Sequence, residues 1–270
     1  MKRASPTAPS GPPAAGSTIV YTAVGASDAI GYGSSNVCVP FTQCPNGMGY
    51  VQVAARALGS QGFTVSLTSL GIPTGVIGRD FQQLGQSLGR VIAGNFIDDE
   101  VPFVSKDATV VTIFAGGNEV NIITGALGAG LGGANQIGYI DSQVQAFGAD
   151  FSTLLSGIRA KASPRIVILN LPNLAGLPYL ANESLSQRQA AQRAAVRMTT
   201  TAINSLSASD VAIVDLMCDP RSYIASNYSF DGFHPSDSGY AYIASEVVSA
   251  ITSSSYPSPK SSCAQMTIVP

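Results

Sequence analysis

Residues 109–114 read Thr-Val-Val-Thr-Ile-Phe and run straight into Ala115, Gly116, Gly117, Asn118 and Glu119. A short, β-branched, almost uninterrupted apolar run that ends in glycines predicts a strand covered on both faces, with a turn at its carboxyl end. Comparable runs lie at residues 17–24 (STIVYTAV), 63–67 (FTVSL), 165–170 (RIVILN) and 211–215 (VAIVD). Helix-length stretches separate them at 49–58, 79–95, 137–162 and 186–206, and a last one occupies 236–251. This alternation predicts one doubly wound α/β domain built on a parallel sheet. Ligands of such sheets bind beyond the carboxyl ends of the strands, so the loops after each apolar run are where chemistry is expected.

Composition narrows the function. Lys+Arg 14 against Asp+Glu 16 gives a net charge of -2, leaving no basic surplus for phosphates, so no nucleic-acid partner is expected. Charged residues are only 11% and hydrophobic ones 45%, which excludes charge-driven disorder. The longest candidate for a membrane span, 120–134, is broken by Asn121 and five glycines, so no transmembrane segment is expected. A single histidine, His234, excludes a multi-histidine metal centre and fixes where any imidazole chemistry takes place.

The four cysteines, Cys38, Cys44, Cys218 and Cys263, form no CxxC pair. Three pairings are possible. Cys38–Cys44 with Cys218–Cys263 is favoured over the others, and over four free thiols, because it closes a short loop and staples the C-terminal tail. Disulfides and low charge suit a secreted or extracytoplasmic protein. Residues 1–17, rich in Pro, Ala, Ser and Gly, read as a flexible linker left when a signal or anchor is removed by processing. Residues 18–252 form the expected domain and 253–270 a disulfide-tethered tail. The Gly/Ala/Leu-rich stretch 120–138 is open to two readings: a loosely packed helix entry, or an apolar wall or lid beside a substrate pocket.

Three loops carry candidate chemistry. After the first strand, Gly25-Ala26-Ser27-Asp28 puts a serine hydroxyl on a tight strand-to-helix turn, with its own N–H facing an incoming carbonyl oxygen. After the third, Asn118 presents an amide donor that can stabilise an oxyanion. Near the C-terminus, Asp231-Gly232-Phe233-His234 lets a carboxylate accept the imidazole Nδ1–H and fix the tautomer whose Nε2 takes a proton. Ser236 or Asp237 can cap the helix that follows.

These segments, in this order, resemble the GDSL, or SGNH, family of serine esterases and lipases. The usual Gly-Asp-Ser appears as Gly25-Ala26-Ser27, the Gly-x-Asn-Asp motif as Gly116-Gly117-Asn118-Glu119, and Asp-x-x-His is intact at Asp231–His234. The Asn-x-x-x-x-Gly motif fits least well: Ser69 stands for Asn and Gly75 comes one place late, so either Thr74 or Gly75 would offer the backbone N–H. The resemblance implies a flavodoxin-like three-layer α/β/α sandwich of about five parallel strands. It further implies Ser27 as nucleophile, His234 as base, Asp231 as its orienting carboxylate, and the Ser27 N–H, Gly75 N–H and Asn118 as the oxyanion hole. No metal or organic cofactor is needed, and a monomer is expected. The substrate is a small-molecule, lipid or polysaccharide ester. Short- to medium-chain acyl esters come first, and acetylated polysaccharide second because Tyr32, Tyr228 and Phe233 could stack on a sugar. A catalytically inactive surface binding module is the alternative of another class, and Ala26 in place of Asp is the feature that leans towards it.

Two further patterns compete for attention. Gly85-Gln86-Ser87-Leu88-Gly89 fits a Gly-x-Ser-x-Gly nucleophile elbow, but a polar, amphipathic stretch precedes it where an elbow needs a strand. Asn182 and Asn227 open glycosylation sequons, and a glycan on Asn227 would crowd Asp231.

Overall fold

The computed structural model describes residues 11–270, so the first ten residues of the expected N-terminal linker lie outside it. Five strands form one sheet: β1 (Thr18–Gly25), β2 (Thr64–Ser69), β3 (Val110–Phe114), β4 (Arg165–Leu169) and β5 (Val211–Val214). Their order is β2-β1-β3-β4-β5 and every pairing is parallel. Each expected strand is present, within two residues at either end.

Successive strand side chains point to opposite faces, and both faces are buried. Ile19, Tyr21 and Ala23 of β1, with Val167 and Leu169 of β4, pack against helices α1 (Tyr50–Ser60) and α7 (Asp237–Thr252). Val24, Val111, Ile113, Ile166 and Ile168 turn the other way, onto α2 (Arg79–Ser87), α3 (Phe96–Asp99), α4 (Gly117–Gly128), α5 (Gln136–Lys161) and α6 (Leu185–Arg197). This is a three-layer α/β/α sandwich. None of the helices among the described residues is long and apolar enough to cross a membrane.

Two elements differ from expectation, each for a local reason. The helix expected over 79–95 stops at Ser87, because Gly89 adopts φ 76° and ends it. The chain then returns extended, so that Asn95 pairs with Val76 and caps α3. The helix expected over 186–206 leaves α geometry at Met198 and continues as a π turn to Ile203. There Thr200 and Thr201 donate their hydroxyls to the Val196 and Arg197 carbonyls, at 2.8 and 2.7 Å, competing with the helical bonds. Of the two readings of the stretch 120–138, the structure shows the helical one, over Gly117–Gly128. Val120, Ile122, Ile123 and Ala126 are buried in α4 as core, whereas Gly125, Gly128, the glycine-rich turn and Ile137 at the start of α5 are exposed.

Cys38 pairs with Cys44 and Cys218 with Cys263. The second bridge holds the tail on α6, where the Gln192 side chain donates to the Val269 carbonyl (2.8 Å) and accepts from its N–H (2.9 Å).

Candidate active site

Strands β1 and β3 end side by side, Gly25 paired with Phe114, and the turns that follow open at the same edge of the sheet. Ser27 sits on the first of these, nearly buried at 7% exposure, and its carbonyl accepts the Tyr32 N–H (2.9 Å). Its own N–H has no hydrogen-bond partner among the described residues. Beneath the turn lies Glu100, which is fully buried. Its Oε2 accepts the Gly25 N–H at 2.9 Å and its Oε1 accepts the Ile72 N–H at 3.2 Å, so one carboxyl fixes both the Ser27 turn and the loop after β2. Burial raises this carboxyl well above the usual range, against the two N–H donors that favour the ionised form.

The loop before α7 is closed by Asp231. Its Oδ1 accepts from the Ser229 hydroxyl and from the Phe233 and His234 N–H groups, each at 2.9 Å. Its Oδ2 lies 2.6 Å from His234 Nδ1, and His234 Nε2 lies 2.8 Å from Ser27 Oγ. Partial burial works to raise the Asp231 carboxyl. The bond to the His234 ring and the two backbone N–H donors outweigh it, and the net direction is down. The loop packs tightly on the turn after β1. Gly33 has φ 90°, and a Cβ there would meet Ser229 Oγ at 2.8 Å and His234 Cβ at 2.9 Å. Ser236 caps α7, whereas Asp237 accepts the Ser35 N–H (2.8 Å) and ties the two loops together. Tyr32 and Phe233 flank the His234 ring, with centroids at 4.7 and 4.9 Å. Asp28, on the inner side, has its carboxyl raised by burial against the opposing effects of His234 and the Tyr240 hydroxyl.

Asn118 opens α4 and donates one amide hydrogen to the Gly75 carbonyl at 2.8 Å. An amide carries two, so the second is left for a ligand. The oxyanion role expected of Gly75 needs correction. Its N–H is committed to the Ile72 carbonyl (2.9 Å) in a turn that holds Thr74 at φ 61°, and what it offers the site is the carbonyl that orients Asn118. Glu119 is buried. Its Oε1 accepts the Ile77 N–H at 2.6 Å, and desolvation pushes its pKa up to about 7.

Ser87 lies in α2 and donates to the Leu84 carbonyl of its own helix (2.7 Å), away from this site. The Asn227 amide donates to the Arg221 carbonyl at 2.9 Å. Sequence reasoning missed Glu100, a lone acid in an acidic stretch with no motif around it, and Tyr179, whose ring packs on Phe233 at 5.3 Å.

Comparison with solved structures places this arrangement among known folds. A lipase from a goat rumen metagenome is 18% identical and has a TM-score of 0.58, with 86% of this chain and 97% of that one covered. Phospholipase A1 from Streptomyces albidoflavus is 18% identical (TM-score 0.55; 84% and 95% covered). An acetyl xylan esterase from Geobacillus stearothermophilus is 14% identical (TM-score 0.52; 87% and 94% covered). At these identities the likeness is one of fold. Comparison with curated protein sequences gave no match. The profile of GDSL-like lipases and acylhydrolases, however, matches residues 23–242, from the end of β1 into α7. Through that match the chain belongs to the GDSL-like lipase/acylhydrolase family, hydrolases of the esterase and lipase class.

Proposed function

We propose that the protein is a secreted serine carboxylic ester hydrolase working through an acyl-enzyme intermediate. The observation that carries this reading is the unbroken chain Ser27 Oγ, His234 Nε2, His234 Nδ1, Asp231 Oδ2, with links of 2.8 and 2.6 Å. In the first step Ser27 Oγ bonds to the ester carbonyl carbon while His234 takes the hydroxyl proton. Asp231 steadies the imidazolium, and the Ser27 N–H with the second Asn118 hydrogen receive the oxyanion. On collapse the carbon–alkoxide bond breaks and His234 hands its proton to the leaving alcohol. Water, deprotonated by the same imidazole, then bonds to the acyl carbon; the bond to Ser27 Oγ breaks, His234 returns the proton to that oxygen, and the acid leaves. Two disulfides support the secreted location.

The alcohol side of the ester is less defined by fold, since the neighbours include lipases and an acetyl xylan esterase alike. An exposed ring beside His234 favours a second reading, an acetylated carbohydrate: Tyr32 is 42% exposed and packs on the His234 ring at 4.7 Å. Fluorophosphonate labelling tests the mechanism. One adduct on the native protein, lost in Ser27→Ala together with p-nitrophenyl ester hydrolysis, is expected. An unlabelled native protein would favour the binding module. Rates on p-nitrophenyl butyrate and acetylated xylan then separate the two substrate readings.

A further inference from the structure

The inner side of the site encloses a void. It is bordered by the chain neighbours of Ser27 (Ala26 and Asp28) and of His234 (Phe233 and Pro235), and reaches Asn118 at the oxyanion side. Its walls are mostly apolar, with Phe114, Leu171, Leu174, Leu177 and Leu216 contributed by the ends of β3, β4 and β5 and the segments after them, and with Asp28, Asn118, Glu119 and Asn227 adding polar groups. Phe233 roofs it: the ring Cζ lies 3.1 Å from where a Cβ on Gly117 would be, and Tyr179 backs the ring from the other side.

The geometry points to this void as the acyl pocket, one that accepts chains of two to four carbons and is closed to longer ones by Phe233. The proposal rests on Ser27 being the nucleophile. The void holds about 50 Å³. One water needs roughly 10–15 Å³ by such a measure, so there is room for about four non-hydrogen atoms. Apolar walls give such a space little use for water but reward methylene groups, each worth about fourfold in binding. A chain beyond four carbons meets the Phe233 ring, which lies so close to α4 that even a Cβ on Gly117 would be 3.1 Å from its Cζ. The acyl limit is thus set by one side chain adjoining the candidate base, and stretch 120–138, which does not line the void, has no part in it.

A p-nitrophenyl ester series from acetate to decanoate tests this on the native protein, Phe233→Ala and Ser27→Ala. The native kcat/KM should peak at acetate to butyrate and fall at least tenfold by octanoate. In Phe233→Ala the octanoate-to-butyrate ratio should rise about tenfold or more. Should that variant fail to fold, Ala115→Val fills the void instead and should lower the butyrate-to-acetate ratio several-fold. A native protein that cleaves octanoate or decanoate as well as butyrate overturns the pocket, as do ratios unmoved in the folded variants. Full activity in Ser27→Ala refutes the nucleophile reading instead, so the two failures are distinguishable.

Discussion

Replacing Glu100 by Gln changes one oxygen for an amide group at a position with no exposure to solvent. The carboxyl serves two donors, the N–H groups of Gly25 and Ile72. Glutamine has one acceptor oxygen for the two contacts; the Ile72 N–H keeps its second acceptor, the Gly25 carbonyl at 3.0 Å, so the larger loss comes where the amide hydrogens face the Gly25 N–H and leave it without the Glu100 oxygen. A buried donor left unpaired costs about 1–3 kcal/mol, and the stranded amide adds to that, for a total of about 2–4 kcal/mol. In a domain of this size each kcal/mol moves Tm by roughly 2–4 °C, so a fall on the order of 5–15 °C is expected by circular dichroism. Catalysis should fall as well. Gly25 is two residues before Ser27, and Ile72 begins the turn whose Gly75 carbonyl holds Asn118. Loosening both relaxes the nucleophile and the oxyanion donor together, and a displacement of about 1 Å can cost on the order of 10²-fold. Steady-state kinetics on p-nitrophenyl butyrate should therefore show kcat down roughly 10–100-fold with KM changed less than about threefold. Glu100→Asp, one methylene shorter, should retain part of the rate. A Glu100→Gln protein with native Tm and native kcat would refute the reasoning, and one that loses Tm alone would reduce Glu100 to a purely structural role.

Asp231→Asn keeps an acceptor for the backbone donors but presents the wrong partner to His234 Nδ1, and kcat at neutral pH should fall roughly 10⁴-fold with little change in KM. Glu119, pushed up to about 7 by burial, holds a proton in the folded state that the unfolded chain releases from about pH 4.5. The stability this brings is complete below that pH and is lost as pH rises towards 7, by roughly 3 kcal/mol. Urea melts should show the decline in the native protein and a flatter profile in Glu119→Gln; a native profile that rises from pH 5 to 7 would contradict it. The Cys218–Cys263 bridge closes a sequence separation of 45 and Cys38–Cys44 one of 6, so loop entropy assigns them about 4 and about 2 kcal/mol. Cys263→Ser should accordingly lower Tm more than Cys44→Ser, and equal losses would count against that account.

What could be read ahead of the structure follows from how local each feature is. The strands were legible because burial on both faces leaves a run such as Val110–Phe114 β-branched and apolar but for Thr112. The Asp231–His234 loop was legible because every partner of its carboxylate lies within a few residues. Gly75 was misread because a spacing shows which residue is near the site but not which end of its peptide faces in. The turn through Pro73 and Thr74 sends the N–H to Ile72 and the carbonyl to Asn118. The stretch 120–138 stayed open for the converse reason: its apolar residues suit a lid and a core helix equally, and only the packing of Val120, Ile122 and Ile123 in the core shows the helix. Glu100 could not be found at all, since its partners sit on β1 and on the loop after β2.

Ala26 is the departure that leaned towards a non-catalytic module, and the packing around it argues the other way. The position beside the nucleophile has lost its acid, yet the turn is held by one: Glu100 grips the Gly25 N–H from below. A buried carboxyl with no cationic partner is costly, and the Gly25 and Ile72 N–H groups offset part of that cost. The same holds for Asp231, which takes four hydrogen bonds in order to present one oxygen to His234 Nδ1. A binding surface has no use for a carboxylate held so firmly behind an imidazole, nor for a serine hydroxyl 2.8 Å in front of it. In the proposed reading Ser27, His234 and Asp231 carry the chemistry while Glu100 anchors the turn beneath them, which makes the altered first motif a relocated anchor rather than a lost function.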